Sequence, residues 1–251
     1  MVVMLCACAA PADTARAPDS GGPATLEPAA ASDAVETPAA TARAPQPARL
    51  RRQPIIWNLE RERLTQAYLQ HHHGGDFSGD PGEASHMVPR MIVVHWTAGP
   101  TAHSARNTFL QPQQQRSRRR AFWNLLNLSS HFIVDRGGEI LQLMEPDRVG
   151  RHTIGLNHLA IGIENVGDRK NWPLTRSQVE ANAALVRWLV EQHPTISHLI
   201  GHYEYRSFEG TSFFRDRTPF RTGRVDPGVP FMEALRHEVA DLDLLGPPTD
   251  D

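Results

Sequence analysis

Apolar positions along the chain fall into short blocks with two different spacings, and the spacing names the element. Met91-Ile92-Val93-Val94 is a continuous apolar run, the mark of a strand buried on both faces. His131-Phe132-Ile133-Val134 and Ile140-Leu141-Gln142-Leu143 flank Asp135-Arg136-Gly137-Gly138, which predicts a hairpin. Ala160 to Val166 and Ile196 to Ile200 read as further strands. Helical spacing marks Ile55 to Gln70, through Leu59, Leu64, Ala67 and Tyr68, and a short helix over Ala102 to Leu110. A longer helix follows Thr175 and Gln178, which fit a capping box. It repeats Val179, Ala183, Val186 and Val190 on one face and stops at His193-Pro194. A last helix runs from Pro230 with Phe231, Leu235, Val239 and Leu242 together. Strands and helices alternate without internal repeats. The fold class expected is α/β, a single domain with a central mixed β-sheet flanked by helices.

The pattern is missing from about Ala9 to Leu50, which is Ala, Pro, Thr and Asp with almost no large apolar residue. Such a stretch buries too little surface to offset its ordering entropy, so 9–50 is expected to be a disordered linker. About 190 residues remain, enough for one well-buried core, with 51–245 as the domain and 246–251 as a disordered tail. No segment is long enough to cross a bilayer as a helix. A net charge of -2 gives no support for a nucleic-acid partner.

Both cysteines, Cys6 and Cys8, lie in the first eight residues, so no disulfide is expected in the folded part. Leu5-Cys6-Ala7-Cys8 resembles a bacterial lipoprotein box with Cys8 as the acylated residue, although the basic start of a secretory signal is missing. A tether of about 40 residues would reach some 35 Å as a flexible coil. Two other features read blandly. Arg116, Arg118, Arg119 and Arg120 sit in a polar stretch expected to be a solvated loop. His71-His72-His73 is expected to be a solvated helix end, because consecutive side chains do not share a face.

Candidate chemistry gathers where apolar segments stop. His95 closes the Met91 run before Trp96-Thr97-Ala98-Gly99, and His202 follows the Ile196–Ile200 strand. Asp226 precedes Pro227-Gly228. Two neutral imidazoles and a carboxylate make the ligand set of an open catalytic zinc site. Each residue also has a structural reading, as a strand-end histidine or a turn aspartate, and the spacing matches no compact zinc motif. Glu164 shares a strand face with Ala160 and Gly162, opposite Ile161 and Ile163. A core strand leaves such a gap only where a cavity or ligand fills it; an edge strand would leave it to water. Arg224, two positions before Asp226, projects to the same side in an extended segment.

These segments resemble the type 2 N-acetylmuramoyl-L-alanine amidases, the zinc family that includes phage-lysozyme amidases and peptidoglycan-recognition proteins. Bacterial muropeptide amidases are the nearest group. The resemblance covers roughly Val88 to Val239, the core of the domain. Its motifs occur in the family's order: His95-Trp96-Thr97-Ala98-Gly99, Ser129-Ser130-His131-Phe132, His152, Ile161-Gly162-Ile163-Glu164, and Gly201-His202 followed by Asp226-Pro227-Gly228. It implies one zinc ion held by His95, His202 and Asp226, with Glu164 as general base. It places His152 and Asn157, with His131, at the muropeptide groove. Arg224 stands where the family usually has lysine, which keeps the charge beside a developing oxyanion but changes its shape.

The implied reaction is hydrolysis of the amide between the N-acetylmuramic acid lactyl group and L-alanine, in peptidoglycan or muropeptides. The alternatives are a recognition module that binds without cutting, and a zinc peptidase acting within the stem peptide. The expected setting is a monomer exported to a bacterial cell envelope, anchored through Cys8 at an outer membrane and facing the periplasm.

Overall fold

The computed structural model describes residues 44–75, 77–114 and 124–249. The lipoprotein-like start, the linker up to residue 43, the Arg116–Arg120 cluster and residues 250–251 lie outside them. Among the described residues, six strands form one mixed sheet in the order β1-β4-β3-β5-β2-β6. In chain order these are β1 (Leu50–Arg52), β2 (Met91–Trp96), β3 (Phe132–Val134), β4 (Ile140–Gln142), β5 (Ala160–Asn165) and β6 (His198–Gly201). Five helices accompany them: α1 (Leu59–His72), α2 (Pro81–Ala84), α3 (Ala102–Leu110), α4 (Arg176–Gln192) and α5 (Val229–Glu238). The β3–β4 hairpin is the antiparallel pair, and its turn uses Gly138 at φ +83°, a conformation that L side chains rarely adopt. The neighbouring pairs β1–β4, β3–β5, β5–β2 and β2–β6 are parallel.

Alternation along the central strands divides two cores. Ile92 and Val94 of β2 and Ile161 and Ile163 of β5 join Val179, Val186, Leu189, Phe231 and Leu235 from α4 and α5. The opposite face carries Met91, Val93 and Ala160, packed with Leu156, Ile200, Tyr205 and Phe208. His95 and Glu164 belong to this second face by the same period of two. The capping box forms: Gln178 N donates to Thr175 Oγ1 at 3.2 Å and Thr175 N donates to Gln178 Oε1 at 2.9 Å.

Several expected boundaries shift. Leu50, placed by composition in the linker, opens β1 and pairs with Ile140. The first helix begins at Leu59, not Ile55. Gln53 N and Ile55 N donate to Gln142 O and Leu143 O, so the chain before it still follows the sheet edge. Asn58 then caps the helix by accepting from Arg61 N at 3.1 Å. The last helix ends at Glu238, and a short 3-10 turn carries Leu242.

The histidine run is not a solvated helix end. His73 is 7 % exposed and meets His158 edge-on, ring centroids 4.7 Å apart. His72 Nδ1 lies 3.2 Å from Asp216 Oδ2, and Arg217 N donates to His72 O at 2.7 Å. Burial pushes His73 down to about 3 and His158 to about 4, so both rings are neutral at physiological pH. The segment around 215–217, distant in sequence, covers a helix end that its own sequence leaves bare.

Candidate active site

Three segment ends converge at the carboxyl end of β2. His95 is the fifth residue of that strand, held from behind by Asn165 Nδ2, which donates to His95 O at 3.2 Å. His202 follows β6 directly and starts a 3-10 helix, His202–Phe208. Glu204 accepts from Gly201 N at 2.8 Å and pairs with Arg236 at 2.5 Å, so α5 fixes this turn. Asp226 arrives on a loop tied down twice. Tyr203 N donates to Asp226 O at 3.0 Å, and the Tyr205 hydroxyl donates to Thr222 O and accepts from Thr222 N.

The three side chains present a triangle of ligand atoms. His95 Nδ1 lies 2.9 Å from His202 Nδ1 and 3.3 Å from Asp226 Oδ2, and His202 Nδ1 lies 3.0 Å from the same oxygen. All three residues are buried. A tetrahedral zinc ion with bonds of about 2.0–2.1 Å sets its ligands roughly 3.3 Å apart, so the donor set and its spacing fit such an ion. Burial alone would push Asp226 up, but hydrogen bonds and charge from His202 and His95 outweigh it and hold the carboxylate well below its usual range. Burial, and then the neighbouring His95, lowers His202 to about 4. A carboxylate beside the neutral His202 imidazole suits a divalent metal, which binds deprotonated ligands.

Glu164 stands beside the triangle, 8 % exposed, and its Oε2 has no hydrogen-bond partner among the described residues. Burial first, and then repulsion from Asp226, pushes it up to about 7, against the lowering pull of His95 and Arg224. A carboxyl group tuned near neutrality is suited to taking and returning a proton. Arg224 lies on the cleft wall with no side-chain hydrogen bond or ion pair among the described residues. The cleft holds about 290 Å³ and includes the triangle, Glu164, Arg224, Arg151 and His152. Trp96 and Arg224 also border an adjoining cavity of about 690 Å³, walled largely by apolar side chains such as Leu174, Val225 and Phe231.

The gap on the Glu164 face is filled by the chain itself. A Cβ on Gly162 would come within 2.9 Å of the His152 ring and 2.8 Å of Ser130 Oγ. Small residues along β5 therefore make room for an imidazole, and only Glu164 reaches the cleft. His131, expected at the groove, is fully buried: Nε2 donates to Arg148 O at 2.7 Å and Nδ1 accepts from Gly162 N at 2.9 Å. Asn157, expected there too, is 1 % exposed. It accepts from His152 N and Thr153 N and donates to the Tyr68 hydroxyl at 2.9 Å. Neither side chain faces the cleft. His152 does, but its ring turns toward His95. Nothing local in the sequence marks Arg151, Thr153 or Tyr68 as site residues, and Tyr68 reads there only as part of a helical face.

The model of the family described as N-acetylmuramoyl-L-alanine amidase matches residues 85–228, more than half of the chain. A peptidoglycan recognition protein of Trichoplusia ni is 34% identical over 88 residues, 34% of this chain and 48% of that protein. Peptidoglycan recognition protein 3 of Mus musculus is 25% identical over 114 residues, covering 45% of this chain and 33% of that protein. The chain thus matches about half, and about a third, of the length of these curated relatives. Among solved structures, a selenomethionine derivative of AmpD shares 22% identity at TM-score 0.47, covering 76% of this chain and 95% of that one.

Proposed function

We propose that this chain, which belongs to the N-acetylmuramoyl-L-alanine amidase family, is a zinc hydrolase of the amide between the N-acetylmuramic acid lactyl group and L-alanine in peptidoglycan or muropeptides. One observation carries the reading: His95, His202 and Asp226 converge with ligand atoms 2.9 to 3.3 Å apart beside a buried carboxyl group. His95, His202 and Asp226 would hold the ion. When bound, zinc lowers the pKa of water and polarises a carbonyl.

Glu164 takes the proton from the attacking water and later delivers it to the leaving L-alanine nitrogen. Arg224 presents its guanidinium to the oxygen on which charge develops. The catalytic domain spans 50–245, beginning with the first residue of β1. The preceding stretch serves as its tether, with acylation of Cys8 holding a monomer at the outer membrane, facing the periplasm.

Digestion of purified sacculi, followed by mass spectrometry of the soluble fraction, tests the reading. Released peptides beginning with L-alanine are expected. Intact sacculi with measurable binding would make the chain a recognition module, and fragments cut inside the stem would make it a peptidase.

A further inference from the structure

His152 lies beside the proposed ligand His95 and forms a chain of contacts that ends on a backbone carbonyl. Its Nε2 is 3.0 Å from Ala160 O, and a carbonyl only accepts, so this nitrogen carries the proton. The other ring nitrogen, Nδ1, is then the acceptor of the neutral ring. It lies 3.1 Å from His95 Nε2 and 2.9 Å from Thr153 Oγ1. His95 therefore donates from Nε2, which leaves its Nδ1 lone pair aimed at His202 and Asp226.

We propose that His152 is a positioning residue of the metal centre, fixing the tautomer and ring angle of His95, and that Asn157 and Tyr68 buttress it. The inference rests on the zinc reading above. Its particulars come from this chain's own bonds. Asn157 Oδ1 accepts from His152 N at 2.9 Å and Thr153 N at 2.7 Å, and so clamps the backbone that carries the ring. The Tyr68 hydroxyl accepts from Asn157 Nδ2 at 2.9 Å, which ties the clamp to α1. Gly162 and Gly150 leave the space: an added Cβ would come within 2.9 and 3.1 Å of the His152 ring. Two of the three residues that the family resemblance sends to the substrate groove, His152 and Asn157, thus act through His95. A partner hydrogen-bonded to a metal-ligating imidazole is typically worth about 10–100-fold in metal affinity.

Zinc affinity of the metal-free full chain, measured by competition with a chromogenic chelator, tests this without any turnover. His152→Ala should weaken zinc binding about 10–100-fold. His152→Asn, which restores an acceptor near the Nδ1 position, should recover much of the loss. Tyr68→Phe, which removes only the hydroxyl beneath Asn157, should give a smaller loss in the same direction. If His152→Ala fails to fold, the unaltered zinc-loaded protein still decides the matter. Nitrogen–proton correlation NMR should show His95 protonated at Nε2 and bound through Nδ1. Zinc bound through His95 Nε2, or His152→Ala binding zinc as tightly as the unaltered chain, overturns the positioning role. Failure of the unaltered chain to bind zinc would overturn the zinc reading itself.

Discussion

His95 and Glu164 are register partners on adjacent parallel strands, β2 and β5. Partnered residues on neighbouring strands project from the same sheet face, so a proposed ligand and a proposed base stand side by side by backbone pairing alone. A shift of one residue in that register would send one of them into the opposite core.

Glu164→Gln keeps the shape of the side chain and removes its basicity. Turnover of muropeptide should fall by about 10²–10⁴ while zinc content stays at one ion per chain. Parallel rate and metal measurements check this, and an active variant would remove the general-base role.

The pH dependence follows from burial. Glu164 is pushed up to about 7, so its proton-accepting form is lost as pH falls through that value. The stability of the metal-free protein runs the other way. A carboxyl group raised in the fold favours folding fully below its ordinary pKa of 4.5 and loses that contribution as pH rises through about 7. Glu164→Gln should therefore stabilise the metal-free chain by about 2–3 kcal/mol at pH 8, and by little near pH 4. Urea titrations at the two pH values measure the difference.

Asp226→Ala removes the anionic ligand and leaves two imidazoles facing each other at 2.9 Å. Zinc affinity should fall by more than the roughly 10–100-fold assigned to outer partners. Dialysis followed by metal analysis should find the variant empty; full occupancy would exclude Asp226 as a ligand.

Arg224 supplies charge without touching the triangle. Arg224→Ala should reduce kcat by about 10²–10³ with zinc content unchanged, and Arg224→Lys should retain much of the activity. An inactive lysine variant would mean that the planar guanidinium itself is needed.

The larger elements were legible because period and punctuation are local. The apolar run over Met91–Val94, the hairpin turn Asp135–Gly138 and the Thr175–Gln178 cap each carry their reason within a few residues. Boundaries were less legible where a distant partner decides them. Leu50 becomes a strand because β4 offers an open edge, and the end of α1 is covered because Arg217 and Asp216 bond to His72 while His158 packs against the His73 ring.

His95 and His202 were readable from sequence because each sits where an apolar stretch stops, Glu164 because it shares a strand face with two small residues, and Asp226 only as an aspartate before a Pro-Gly turn. Their family order added the rest of the expectation. The orientation of His131, His152 and Asn157 was not readable. A histidine in a loop carries no local mark of whether its nitrogens meet substrate, backbone or another ring, because that depends on which strand passes behind it. Strand spacing and caps set the elements by themselves. Parallel pairing of β5 with β2, and the loop that lays His152 across Gly162, settled which side chains face the cleft, because long-range hydrogen bonds and close packing exist only once the sheet has assembled.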